Sequence, residues 1–102
     1  MIIVIARAEV DPDRIAELRP ALDAMMRATW EESGCLSYSM AIESDSVVSI
    51  VERWHDEAAL KSHFQTPHMA AFNAAVMGAV RSIDARMYDA ANERNVMDEM
   101  AN

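Results

Sequence analysis

Apolar residues recur at every second position from Ile2 to Val10, but the two rows of this alternation differ. Ile2, Val4, Ala6, Ala8 and Val10 make one row, while the other opens with Ile3 and Ile5 and then carries Arg7 and Glu9. A period of two predicts a β-strand, and apolar residues on both faces at its start predict a central strand. Asp11-Pro12 marks a helix start, because aspartate caps free N–H groups and proline lacks a donor that would go unpaired there. Ile15, Leu18, Leu22, Met25 and Thr29 then share one helical face, with Met26 beside it. Pro20 predicts a kink, since it removes a main-chain hydrogen bond and crowds the carbonyl of Ala16. Gly34 predicts a helix end in the left-handed conformation.

Residues 35–43 and 46–54 predict two more strands, joined by a tight turn at Ser44-Asp45. Leu36, Tyr38, Met40 and Ile42 alternate in the first. In the second, Val48, Ile50, Glu52 and Trp54 share a face, and Val47 and Val51 occupy the other. Asp56 predicts the cap of a short helix carrying Ala59, Leu60, His63 and Phe64. Thr66-Pro67 restarts a helix through Met69, Phe72, Asn73, Val76, Met77 and Val80. A last strand fits 82–89, and the polar segment 90–102 is expected as a tail that is helical, frayed or donated to a partner.

The order β-α-β-β-α-β predicts an α+β, ferredoxin-like split arrangement with an antiparallel sheet, its first and third strands central neighbours. The two helices cover one sheet face. The other is expected to carry Ile2, Val4, Val10 and Val47 or their neighbours, with nothing in the chain to cover it. A second copy is the simplest cover, so the pattern predicts a homodimer through the open face.

With 102 residues, 52% of them hydrophobic and 25% charged, the composition suits one folded domain. The formal charge of −8 argues against a nucleic-acid partner, which needs a basic surface. Met1 to Ala6 is apolar, but Arg7, Glu9 and Asp11 follow at once, without the basic start or cleavage-like end of a signal peptide. No apolar run approaches the roughly 20 residues of a membrane span. A lone Cys35 allows neither an internal disulfide nor a thiolate zinc cluster within one chain, and fits a cytoplasmic location.

Three segments together resemble the antibiotic biosynthesis monooxygenase family: the Gly34-Cys35-Leu36-x-Tyr38 turn, Glu52-x-Trp54-x-Asp56-Glu57-x-Ala59-Leu60-x-x-His63, and Pro67-His68-x-x-x-Phe72. The resemblance covers residues 1–89 and implies a dimeric α/β barrel. It also implies one of several activities: cofactor-independent oxygenation of phenols and quinols, haem degradation, or turnover of signal molecules. The haem-degrading members use an Asn, a Trp and a His where this chain has Arg7, His63 and Asn73, which argues against haem. The polyketide-oxidising members use an Asn four residues before the strand-ending Trp and a Tyr six after it. Here Trp54 is kept, while Ile50 and Leu60 stand at the other two places.

His63, one turn beyond Leu60, is the candidate base: an imidazole can take a proton from a phenol or hydroquinone, leaving an anion that reduces oxygen directly. The plainer alternative is a hydrogen-bonded core histidine. Trp54, Tyr38 and Phe72 are candidate substrate-binding aromatics, and Trp54 is equally an ordinary core anchor. Arg7 and Glu52 are expected on the helix-facing side near Trp54, as a buried ion pair or with Arg7 orienting an anionic oxygen. His55, His63 and His68 are not expected to bind metal, because Thr66-Pro67 breaks the helix between the last two and no carboxylate completes a zinc spacing. No glycine-rich phosphate loop is present, and Cys35 is expected to pack at the turn. The nine methionines suit an adaptable apolar lining.

The expected function is cofactor-free oxygenation of a small aromatic, phenolic or quinol-type compound, with no metal and no membrane or nucleic-acid partner. The alternatives are a non-catalytic module binding a small metabolite in the same cavity, and a purely structural dimerisation domain.

Overall fold

The computed structural model describes residues 1–101. Strand β1 (Ile2–Val10) leads through a 3-10 turn (Pro12–Arg14) into α1 (Ile15–Trp30), followed by β2 (Cys35–Ser44) and β3 (Val47–Trp54). Then come α2 (Glu57–Phe64), α3 (Pro67–Val76), β4 (Val80–Asp89) and the short α4 (Val96–Met100). All strand pairs are antiparallel, and the order across the sheet is β2-β3-β1-β4. This is the α+β ferredoxin-like arrangement, with β1 and β3 central and the second helical element split in two.

Local chemistry sets most boundaries. The Asp11 carboxylate accepts from the Asp13 N–H at 3.0 Å, and the Asp56 carboxylate accepts from the Ala59 N–H at 2.8 Å. The Thr66 hydroxyl accepts from the Met69 N–H at 3.2 Å and donates to the His63 carbonyl at 2.8 Å, tying the end of α2 to the start of α3. α1 runs on through Pro20 as one helix. Pro20 and Ala16 are both exposed, so water can serve the carbonyl that the proline leaves without a donor.

Gly34 does not have the left-handed role the sequence suggests. α1 stops at Trp30, with the Glu31 N–H on the carbonyls of Ala28 and Thr29, and Gly34 is not in the left-handed region. Gly34 is needed for space: a Cβ there would sit 2.2 Å from the Ala59 Cβ on α2. Gly78 carries the left-handed turn, with φ of 81°. It lies between α3 and β4, which is why the helix ends at Val76 and Val80 opens a strand.

The alternation in β1 divides the sheet's faces, and the expected assignment of its two rows is reversed. Ile2, Ala6, Ala8 and Val10 are buried beneath the helices, with Val4 partly buried on the same side. They pack with Leu18, Leu22 and Met25 of α1 and with Val48, Ile50 and Trp54 of β3. The open face carries Val47, as expected, but with Ile3, Ile5, Val51 and Tyr88 in place of the even row of β1; Ile5 is paired to Val51 and Ile3 to Tyr88. Ile5 is 47% exposed, so the start of β1 is covered on one side only. The edge strand β4 is exposed along its whole length, leaving even its helix-side Ile83 and Met87 open.

Candidate functional site

A cavity of about 420 Å³ lies between the helix side of the sheet and the α2–α3 pair. Val4, Tyr38, Met40, Ile50 and Glu52 form its floor; Phe64, Met69, Phe72 and Val76 form its roof. Its β4 side is bounded by Val80, Ile83 and Ala85, where no helix covers the strand. Such a largely apolar hollow with few polar groups is the usual form of a small-molecule site.

Four polar side chains line this apolar space: Tyr38, Glu52 and His63 on its inner side and Asn73 on the exposed face of α3. Strand alternation brings up two of them. Glu52 and Trp54 share a face of β3, and the Trp54 indole N–H donates to Glu52 Oε1 at 2.8 Å. Tyr38 on β2 stands directly across from Glu52. His63 is only 1% exposed, one turn past Leu60, with its ring centroid 4.7 Å from that of Trp54 and 5.4 Å from that of Tyr38.

Hydrogen bonding separates the two edges of the His63 ring. Nδ1 lies 2.7 Å from Glu32 Oε2, in the turn after α1. A carboxylate oxygen accepts, so Nδ1 carries a proton, and in the neutral ring Nε2 then holds the lone pair. Nε2, the Tyr38 hydroxyl and Glu52 Oε2 make no hydrogen bond among the described residues. Thr29 Oγ1 is the one sealed, unpaired side-chain polar atom among those residues, so the other three retain access to the cavity.

Burial pushes the Glu52 carboxyl above its ordinary range; the Trp54 N–H and His63 oppose the shift, and Glu32 adds to it. Burial, then Glu52, Glu32 and Cys35, push the Tyr38 phenol far up, so it stays a neutral donor. Burial, with Glu32 and Glu52 behind it, also raises the Cys35 thiol, which suits a packed cysteine better than a nucleophile.

Phe72 lines the cavity, but Trp54, 0% exposed, stands behind Glu52 and His63 as a support. Arg7 is not in the site. It lies on the open face, ion-paired with Glu43, because β1 aligns Val4 with Glu52 and Arg7 with Ser49. The odd separation of Arg7 from Val4 puts it on the opposite face, so no Arg7–Glu52 pair can form.

Two residues outside the expected site lie here: His68, set aside as a ligand in the sequence reading, and Glu32. His68 Nε2 also lies 2.7 Å from Glu32 Oε2. The helix does break between His63 and His68, but the break does not part them: the Thr66 hydroxyl folds α3 back until both rings meet one carboxylate oxygen. Among the described residues, Glu32, His63 and His68 each place a ligand atom within 4.8 Å of the others. An acid two residues before the turn glycine was the visible signal for Glu32, but spacing alone could not bring it to α2.

A ferredoxin-like sheet with a polar-studded apolar cavity under its paired helices defines a small-molecule-binding α+β domain. The chain belongs to the antibiotic biosynthesis monooxygenase family, whose sequence model matches residues 1–75. It is 38% identical over 74 residues to the Mycobacterium tuberculosis protein named "Putative monooxygenase Rv0793", a match spanning 72% of this chain and 73% of that one. It is 34% identical over 68 residues to "Probable quinol monooxygenase YgiN" of Escherichia coli. That match spans 56% of this chain and 64% of YgiN, just under two thirds of the relative's length. The solved structure of Rv0793 superposes with a TM-score of 0.82 at 31% identity, covering 92% of this chain and 98% of the other.

Proposed function

We propose that the chain is a monooxygenase that oxidises a small phenolic or quinol-type compound with O2, using the cavity beneath α2 and α3. The observation that carries this is His63: Nδ1 is held by Glu32, and Nε2 presents a lone pair to an apolar hollow. The names of the two relatives agree with the reaction class. A substrate hydroxyl gives its proton to Nε2, and Glu32 stabilises the resulting imidazolium from the other side. The apolar walls leave the substrate anion poorly solvated and electron-rich. The anion transfers an electron to O2, and the two radicals combine as a ring-carbon peroxide. Cleavage of the O–O bond leaves one oxygen on the product and releases the other as water, with the proton returned from His63. The substrate loses two hydrogens, and its own electrons reduce the oxygen that leaves. Neutral Tyr38 donates to a substrate oxygen, and Phe72 and the methionines pack its ring.

Oxygen uptake with a panel of quinols and phenols tests the assignment. His63→Ala should cut turnover by about 100-fold or more, the usual contribution of a positioned base. Full turnover in a folded His63→Ala protein would refute the role. Saturable quinol binding without oxygen uptake in the wild type would mark a binding module instead.

The same reading places a second copy over Ile3, Ile5, Val51 and Tyr88, since that apolar stripe has no cover within the chain. In this reading residues 1–89 form the domain and 90–102 a tail, of which residue 102 lies outside the described residues; the exposed Val96, Met97 and Met100 are available to lie on that partner. No helix among the described residues is long and apolar enough to cross a membrane. With one free cysteine, a cytoplasmic setting is the natural assignment.

A further inference from the structure

The geometry points to a second, inorganic ligand: we propose that Glu32, His63 and His68 form a binding site for a divalent transition-metal ion such as Zn2+, on the edge of His63 away from the cavity. Both imidazoles aim at the same carboxylate oxygen, His63 through Nδ1 and His68 through Nε2, each at 2.7 Å. A pair of hydrogen bonds could have used one carboxylate oxygen each. Sharing one oxygen instead gathers two ring nitrogens and a carboxylate oxygen within 4.8 Å of one another, so that one ion placed among them would meet all three. Two imidazoles and one carboxylate, with further positions left for water, are a common donor set for zinc and related ions.

The set is also organised in advance. The three ligands come from separate elements: the turn after α1, the last turn of α2 and the first turn of α3. The His63 ring is fixed between Trp54 and Tyr38, and the Thr66 hydroxyl fixes how α2 meets α3. Metal–ligand bonds of about 2.0 Å in a tetrahedron put ligand atoms about 3.3 Å apart, so the nitrogens would retreat from Oε2 by about half an ångström while the three atoms, now within 4.8 Å of one another, settle to that spacing. An ion would replace the two ring protons that now face Glu32. Entry is open, because Glu32 also lines a surface hollow with Ser33, Gly34 and His55, and the His68 side chain is partly exposed. A chain carrying a net charge of −8 favours a cation there.

Occupancy has a consequence that rests on the assignment of His63 as base. An ion on Nδ1 leaves the imidazole proton on Nε2, turning the acceptor that faces the cavity into a donor. Bound metal would therefore switch the oxidation off.

Titrating chelator-stripped protein with Zn2+ against a chromophoric chelator tests the site directly. The expected result is one equivalent bound per chain, weakened by about 100-fold or more in both His68→Ala and Glu32→Gln, a loss at or beyond that of an outer partner. His55→Ala should bind like the wild type. Co2+ should show the visible absorption of a nitrogen-ligated ion, absent in His68→Ala. Failure to bind Zn2+, or binding lost in His55→Ala and kept in His68→Ala, overturns the site and leaves the proton-acceptor reading intact. Zn2+ should lower oxygen uptake in the wild type and not in His68→Ala. If Zn2+ binds at one equivalent and turnover is unchanged, the metal site stands and the role of His63 as base falls.

Discussion

The two faces of the sheet use the same strands for different ends. Beneath the helices, small and apolar residues of β1 sit under a cavity into which β2, β3 and α2 send a phenol, a carboxylate and an imidazole. On the open face, the odd residues of β1 present an apolar stripe, Ile3 and Ile5, and then charge, Arg7 and Glu9, with Arg7 paired to exposed Glu43. Polar groups on the helix side are buried and interdependent; those on the open side are solvated and replaceable. The difference teaches that a charged residue's meaning here depends on the parity of its position. Glu52 lines the cavity, while Arg7, on the adjacent central strand, belongs to the surface.

The sharpest way to break this contrast is Trp54→Ala. It removes a fully buried ring and the donor to Glu52 Oε1, and should cost about 3–5 kcal/mol in urea unfolding. A cost near that of an exposed substitution would mean the helix side is not the core. Ile5→Lys should leave the fold nearly unchanged, yet reduce the mass in light scattering to that of a monomer. A mutant of unchanged dimeric mass would put the partner elsewhere.

Glu52→Gln sharpens the electrostatic side. The folded pKa of Glu52 is raised, so folding favours its protonated form. That stability is fully present below the ordinary carboxylate pKa of about 4.5 and is lost as pH rises through the folded value. Glutamine keeps an acceptor for Trp54 and does not ionise. The melting temperature of the variant relative to wild type should therefore climb as pH rises above about 4.5; a constant gap would contradict the shift. Arg7→Met should change stability least, within about 1 kcal/mol, because it breaks only an exposed ion pair. It should also leave quinol oxidation unaltered, and a large loss of turnover would return Arg7 to the site.

Much of the fold was legible because its signals are local. Period-two runs gave the strands, and Asp11, Asp56 and Thr66-Pro67 marked helix starts through side-chain caps. The site was legible only in part: His63, Glu52, Tyr38 and Phe72 lay on elements whose inward faces the alternation suggested. Arg7 was misplaced because register across β1 and β3 depends on which residues pair, and an error of one position reverses a face. Gly34 was misread for a similar reason, since the side chain that forbids a Cβ there, Ala59, comes from α2.

By itself, the sequence determined the order and type of elements, the α+β class and the family resemblance, because capping, turn chemistry and periodicity act within a few residues. Tertiary structure alone decided which row of β1 faces the helices, that β4 leaves the cavity's flank open, and that Glu32 gathers His63 and His68. Those outcomes depend on residues far apart in the chain: Glu32 meets His63 and His68 across 31 and 36 positions, and β1 pairs Ile2 with Trp54 on one side and with Asp89 on the other. No local pattern encodes such a distance.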